Sequence, residues 1–201
     1  MYSNSIQNLI NKLSKLPSIG PRQASRIAFY LLKNSDNLTS DLAKALNDLK
    51  ENVKLCPDCF LSYESKSSTK CSICSDERRK KNTICILQKE IEIKGIESSG
   101  AFKGLYHIIG EGIDVLKKDN SSYSTNKLIE RVKKLKESYK DIEIIIATNQ
   151  TTEGVALAMY IEDVLKSLNV HTTTLGKGLS SGNELEYADK ETIMHALNNR
   201  K

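Results

Sequence analysis

The sequence predicts a multidomain protein of class α plus α/β: a helical N-terminal part, a small four-cysteine metal module, and an α/β domain on a mostly parallel sheet. Three observations carry this reading. Apolar residues recur at helical spacing as far as residue 53, four of the five cysteines fall within 55–83, and from 84 onward short apolar runs alternate with helical stripes.

Ile6, Leu9, Ile10, Leu13 and Leu16 form the first stripe, within 3–16. After the break Leu16-Pro17-Ser18-Ile19-Gly20-Pro21, a second stripe runs through Ala24, Ile27, Ala28 and Leu31. A third holds Leu42, Ala45, Leu46, Leu49 and Val53, with N-cap candidates at Thr39 to Asp41. The Ser/Lys-rich segment 55–83 is too poor in apolar residues to bury a core of its own.

Beyond it, Ile84–Leu87 and Leu105–Ile109 read as short strands. A helix is expected over 125–139 with Leu128, Val132, Leu135 and Tyr139 inward, and Ile142–Ala147 is a β-branched run suited to a strand buried on both faces. A helix over 153–168, a strand Val170–Leu175 and a helix over 189–199 complete the pattern; Asp119–Thr125 is the expected flexible loop. The organisation is therefore 1–54, 55–83, 84–175 and 176–201.

Trp is absent and aromatics are 5%, so the cores are expected to be aliphatic. No run approaches the roughly 18 apolar residues of a membrane helix, and no apolar signal region opens the chain, so a cytoplasmic protein is expected. Residues 1–84 hold 14 Lys and Arg against 8 Asp and Glu, while the remainder hold 16 against 17. A basic first part suits an acidic partner, nucleic acid being the commonest, although the same balance also fits lysine kept on the surface for solubility.

Cys56-Pro-Asp-Cys59 and Cys71-Ser-Ile-Cys74 are paired CxxC turns, eleven residues apart. Each turn aims two thiolates at one point, and two turns complete a tetrahedron around Zn²⁺, whose ligation supplies folding free energy. Disulfides suit an oxidising compartment, and a redox dithiol needs only one pair, so structural zinc is the stronger reading. With four protein ligands the metal has no open position for catalysis. Lys54, Lys70, Arg78 and Arg79 lie close in sequence and are expected to favour the thiolates. Cys85 is expected to be a small buried hydrophobe, His107 a hydrogen-bonded strand residue, and Arg78-Arg79-Lys80-Lys81 by default a solvated run, with contact to backbone phosphate as the alternative.

The turn LPSIGPRQASR resembles a helix-hairpin-helix. Gly20 permits close approach of backbone, Pro21 suits the first helical position, and the free N–H groups of the helix start point toward phosphate. Arg22 and Arg26, four apart, share a helix face and reach neighbouring phosphates. Such contacts bind DNA without reading its sequence. The motif commonly has Gly where this chain has Ser18.

Residues 85–175 resemble a Toprim domain, whose active members hold Mg²⁺ on a Glu after the first strand and a later acidic set. Against the active pattern ATDPDREGE this chain reads ATNQTTEGV, with Asn149 and Thr151 at the two Asp positions, Val155 at the last Glu and Gln88 at the first-strand Glu. Glu153 alone remains, too few carboxylates for phosphoryl chemistry.

LPSIGPRQASRIAFYLL, the paired CxxC spacing, GLYHIIG, ATNQTTEG and the tail LGKGLSSGNELEYADKETIMHAL together resemble the bacterial recombination mediator family RecR across essentially the whole chain. The resemblance implies a DNA-binding protein without catalytic activity that forms ring-like homo-oligomers, dimer to tetramer. With RecO, and with RecF, such proteins help load RecA onto single strands coated by SSB at gaps and breaks. It implies that Cys56, Cys59, Cys71 and Cys74 hold Zn²⁺, that Arg22 and Arg26 face DNA inside the ring, and that Asn149 and Glu153 lie on the surface that meets RecO. Leu175–Asp189 resembles the family's Walker-B-like segment and is expected to pack on a neighbouring subunit. The stretch 111–125 departs from the family's usual Pro- and Gly-containing pattern, and Ser180 stands where Pro is common. The rival readings are a metal-dependent Toprim nuclease or primase-like enzyme and a zinc adaptor that binds only protein.

Overall fold

The computed structural model describes residues 2–33, 36–66, 68–110 and 123–200. It divides into two compact units, Met1–Val53 and Lys54–Lys201. No helix among the described residues is long and apolar enough to cross a membrane.

The first unit is helical: α1 (Asn4–Leu13), α2 (Pro21–Lys33) and α3 (Asp36–Asn52). Helices α1 and α2 bury Ile10, Ala24 and Ala28 together, with Ile6, Leu13 and Ile19 packed around them. The two alanines let the helices approach closely, which narrows the buried stripe. Leu9 and Leu16, expected inward, are consequently exposed. The third stripe also departs from expectation: Leu42, Leu46 and Leu49 are 43%, 59% and 60% exposed. Periodicity fixes which residues share a helix face but does not supply a surface to cover it. Helix α3 starts at Asp36, so Thr39–Asp41 lie inside it and do not cap it.

From the boundary residue Val53 onward the chain forms a ribbon of β1 (Val53–Leu55) and β2 (Ser62–Glu64), then the short helix α4 (Ser72–Ser75). Its main body alternates β3 (Thr83–Leu87), α5 (Ile93–Ser99), β4 (Leu105–Ile108), α6 (Tyr123–Ser138), β5 (Glu143–Ile146), α7 (Thr152–Lys166), β6 (His171–Thr174) and α8 (Lys190–Asn198). The four strands form one parallel sheet in the order β4-β3-β5-β6. This is the α/β architecture expected from the alternation of strand and helix signals.

The sheet is covered on both faces. Ile84, Ile86, Leu105, Ile144 and Ile146 pack against Leu128 and Val132 of α6 and Leu157, Ile161 and Leu165 of α7. Cys85, Leu87, Tyr106, Ile108 and Ala147 meet Ile93 of α5 and the cysteine module's Phe60, Leu61 and Ile73. The module thus borrows the sheet's apolar face. Cys85 is 2% exposed, the buried hydrophobe expected of it.

Helix α6 begins earlier than expected. Ser124 and Thr125 are buried in its first turn, so the foreseen flexible loop is helical from Tyr123; its residues 119–122, and most of the divergent 111–125 stretch, lie outside the described residues. Tyr139 falls beyond the helix end and is exposed. Helix α5 had no periodic stripe long enough to announce it.

Candidate functional site

The four cysteines meet at one point. Cys56 follows β1, and its carbonyl accepts from Phe60 N at 2.9 Å while its N–H donates to Leu61 O at 2.8 Å, which closes the first CxxC turn. Phe60 completes that turn in the left-handed region, φ 63°. Cys71 caps α4, where its Sγ accepts from Cys74 N at 3.4 Å. All four Sγ atoms lie within 4.8 Å of one another and none is in a disulfide. A tetrahedral ion with ~2.3 Å bonds to sulfur needs thiolates roughly 3.8 Å apart, so the donor set fits a closed four-sulfur metal centre.

Of the cations that proximity in sequence suggested, Lys70 is held in its charged form by Asp58 and, more weakly, by the Cys74 and Cys56 sulfurs. Lys70 pairs with Asp58 at 2.6 Å, Arg78 with Asp76 at 2.9 Å, and Arg79 forms a bidentate pair with Glu97 and also donates to Gly104 O at 2.9 Å. Lys81 Nζ donates to Asp76 O at 2.7 Å. Arg79 and Lys81 are therefore tied into the fold, while Arg78, whose side chain is 90% exposed, and Lys80 stay on the surface as the solvated reading expects. The Arg78 guanidinium holds the Asp76 carboxyl at about 2. A cation that sequence order did not suggest, Arg131 of α6, reaches sulfur directly, its Nη2 lying 3.7 Å from Cys74 Sγ. Its Nη1 also donates to Asp58 O at 3.0 Å and Tyr106 O at 2.7 Å. Ile108 N adds a bond to Cys59 O at 2.8 Å. No sequence signal marked Arg131, which lies 57 positions from Cys74.

His107, on the adjacent strand, is fully buried and hydrogen-bonded through Nε2 to Ser124 O at 3.0 Å, the strand role expected of it. Nδ1 has no hydrogen-bond partner among the described residues. Burial, reinforced by Arg131, pushes its pKa down to about 4.

In the first unit the hairpin runs from Ser14 to Gly20. Ser18 adopts φ 61°, which explains why glycine suits this position. A Cβ on Gly20 would meet no atom within 4 Å, so the backbone there is open to approach. Arg22 and Arg26 lie one turn apart at the start of α2, exposed, with no ion pair or hydrogen bond among the described residues.

The ATN loop joins β5 to α7. Thr151 caps α7 by accepting from Gly154 N at 3.2 Å. Gly154 is required there, because a Cβ would fall 2.0 Å from Asn149 O. Glu153 is exposed in the first turn of α7. Asn149 donates from Nδ2 to Glu92 Oε1 at 3.0 Å, a partner that sequence reasoning missed. Beside the loop a cleft of about 680 Å³ is lined by Thr148, Gln150, Leu175, Lys177, Asp189 and His195, among others. Arg22 and Arg26 belong to the first unit; the cysteines, Asn149 and Glu153 belong to the second, where the four cysteines gather into one cluster that includes neither loop residue.

Comparisons with known proteins agree with this architecture. Family models match residues 6–50 ("RecR, helix-hairpin-helix"), 82–175 ("Toprim domain") and 178–201 ("RecR, C-terminal"). Recombination protein RecR of Rubrobacter xylanophilus is 38% identical over 201 residues, covering 100% of this chain and 98% of that protein. The RecR proteins of Paenarthrobacter aurescens, at 35% over 204 residues, and Geotalea daltonii, at 38% over 199 residues, are covered to 98% and 97% of their lengths, against 100% and 99% of this chain. The chain belongs to the RecR family of recombination proteins, and its role lies in DNA recombination and repair.

Proposed function

We propose that this protein is a recombination mediator: a cytoplasmic, nucleoid-associated clamp without catalytic activity that binds DNA irrespective of sequence. With RecO, and with RecF, it promotes loading of RecA onto SSB-coated single strands at gaps and breaks. Its working divisions are 1–54 for DNA, 55–83 for one structural Zn²⁺, 84–175 for the Toprim surface and 176–201 for assembly.

The observation that carries the DNA reading is the uncommitted pair Arg22 and Arg26. In the second unit Arg78, Arg79 and Arg131 are tied to carboxylates or carbonyls, whereas in the first unit these two are exposed at a helix start beside an open Gly20 backbone. Sequence-independent phosphate binding needs such free cations. Assembly into a dimer or tetramer ring is supported by apolar surface that one chain leaves open: Leu42, Leu46 and Leu49 on α3, and Leu175, Leu179, Leu185 and Tyr187 in the C-terminal segment. Zinc is favoured over other metals by four sulfur ligands in a closed cluster. Glu153, exposed at the start of α7, is the proposed RecO contact.

An Arg22→Glu, Arg26→Glu double variant tests the central claim. Its affinity for gapped DNA is expected to fall by more than tenfold at moderate salt, with a shallower salt dependence and an unchanged circular dichroism spectrum. Unchanged affinity in a folded variant would overturn the DNA face. Mg²⁺-dependent strand cleavage or primer synthesis by the pure protein, lost on substituting Asn149 or Glu153, would favour the enzymatic alternative.

A further inference from the structure

In an open parallel sheet, ligands bind outside the carboxyl ends of the strands where the strand order reverses. Here the order β4-β3-β5-β6 places that point between β3 and β5. One residue from each side meets across it: Glu92, five residues beyond the end of β3, and Asn149, three beyond the end of β5. Their side chains are joined at 3.0 Å. Glu92 Oε2 also accepts from Gln88 N at 3.1 Å and Lys89 N at 3.0 Å. The carboxylate therefore receives three N–H donors, and its charge is offset by hydrogen bonds.

We infer that Glu92 and Asn149 form a latch that closes the Toprim crevice, in which the Asn149 amide provides the link a divalent cation would provide between two carboxylates. Glu92 is thus the carboxylate of this site, and Asn149 positions the ATN loop from within. Two observations fix the geometry. Gly154 packs so tightly on the Asn149 carbonyl that a Cβ would fall 2.0 Å away, which leaves the backbone of residue 149 little freedom. The Glu92 carboxylate is itself pinned by backbone N–H groups and cannot swing aside without abandoning them. An Asp at 149 would bring two carboxylates into contact with no proton between them. Like charges so close repel, and a cation between them relieves the repulsion.

The test is an Asn149→Asp variant, followed by thermal unfolding in chelator-free buffer so that the four-cysteine centre keeps its metal. Without Mg²⁺ the variant is expected to melt several degrees below wild type, and millimolar Mg²⁺ to raise its Tm by about 3 °C or more. Wild type and the Glu92→Gln, Asn149→Asp double variant are expected not to respond. A wild-type protein that gains as much from Mg²⁺, or an N149D variant that melts with wild type and ignores Mg²⁺, overturns the latch. If N149D does not fold, Glu92→Ala decides by amide hydrogen exchange. Gln88 and Lys89 should exchange at least tenfold faster, and unchanged rates there would dismiss the latch. The measurements use neither DNA nor RecO, so they stand apart from the mediator reading.

Discussion

Arg131 Nη2 lies 3.7 Å from Cys74 Sγ, while Nη1 of the same guanidinium holds the carbonyls of Asp58 and Tyr106. One side chain therefore joins both CxxC turns to helix α6 and strand β4. Partners of this outer kind orient metal ligands, and their loss typically costs 10–100-fold in metal affinity. Arg131→Ala should release the metal held by the four cysteines to a colorimetric chelator about tenfold faster or more than wild type. Two part-buried carbonyls would also lose a charged donor, a cost of roughly 1–3 kcal/mol in stability. Arg131→Lys should recover only part of the retention, because a single ammonium lacks the guanidinium fork that spans three acceptors. Wild-type release kinetics in the alanine variant would show that Arg131 is only a packing residue.

Gly154→Ala tests the tight approach of α7 to the ATN loop. With Asn149 O at 2.0 Å from the added Cβ, the obstacle is backbone and cannot rotate away. The variant should lose about 2 kcal/mol or more, in the upper range for overpacking, by chemical denaturation. It should also displace the loop, visible as altered amide shifts at Asn149 and Thr151. A loss below about 0.5 kcal/mol would show that the loop relaxes freely.

Ser18→Gly should act in the opposite direction. Ser18 sits at φ 61°, where an L-residue pays roughly 1–2 kcal/mol. Glycine removes that strain but adds entropy to the unfolded chain, so a net gain of about 0.5 kcal/mol is expected. If Arg22 and Arg26 form the proposed DNA face, DNA affinity should be retained, because both are untouched. A destabilised variant would mean that the Ser18 side chain contributes more than its strain.

The legible and illegible parts of this molecule separate by range of interaction. The four-cysteine centre could be read because each CxxC turn is local and its chemistry needs only spacing. Strands β3, β4 and β5 were legible because burial on both faces demands apolar runs such as Ile144–Ile146, whereas β6, His171–Thr174, is polar and partly exposed and carries no such run. Arg131 was not, since it lies 57 positions from the sulfur it touches; nor was Glu92, separated by the same span from Asn149. No periodicity encodes such pairings. Charge reading missed the Arg79–Glu97 pair for a related reason, the carboxylate partner lying 18 positions away and being chosen by the fold. The stripe on α3 was read correctly as a face, but its cover lies outside what periodicity can supply.

His107 gives the chain a stability term that depends on pH. Its ring is buried and neutral, with the pKa lowered from 6.5 to about 4, chiefly by burial and secondarily by Arg131. A depressed folded-state pKa means that the unfolded chain binds the proton more tightly. The stabilisation is therefore complete above pH 6.5 and is lost progressively as pH falls toward 4. The loss should approach about 1.4 kcal/mol per pH unit within that window and total roughly 3 kcal/mol below it. Acid also loosens thiolate–metal bonds, so the informative quantity is the difference between wild type and His107→Gln, in which that common contribution cancels. The gap between their unfolding free energies should narrow or reverse as pH drops from 7 to 4. A gap independent of pH would mean that the imidazole is solvated or already paired, and would remove His107 as the source of acid sensitivity.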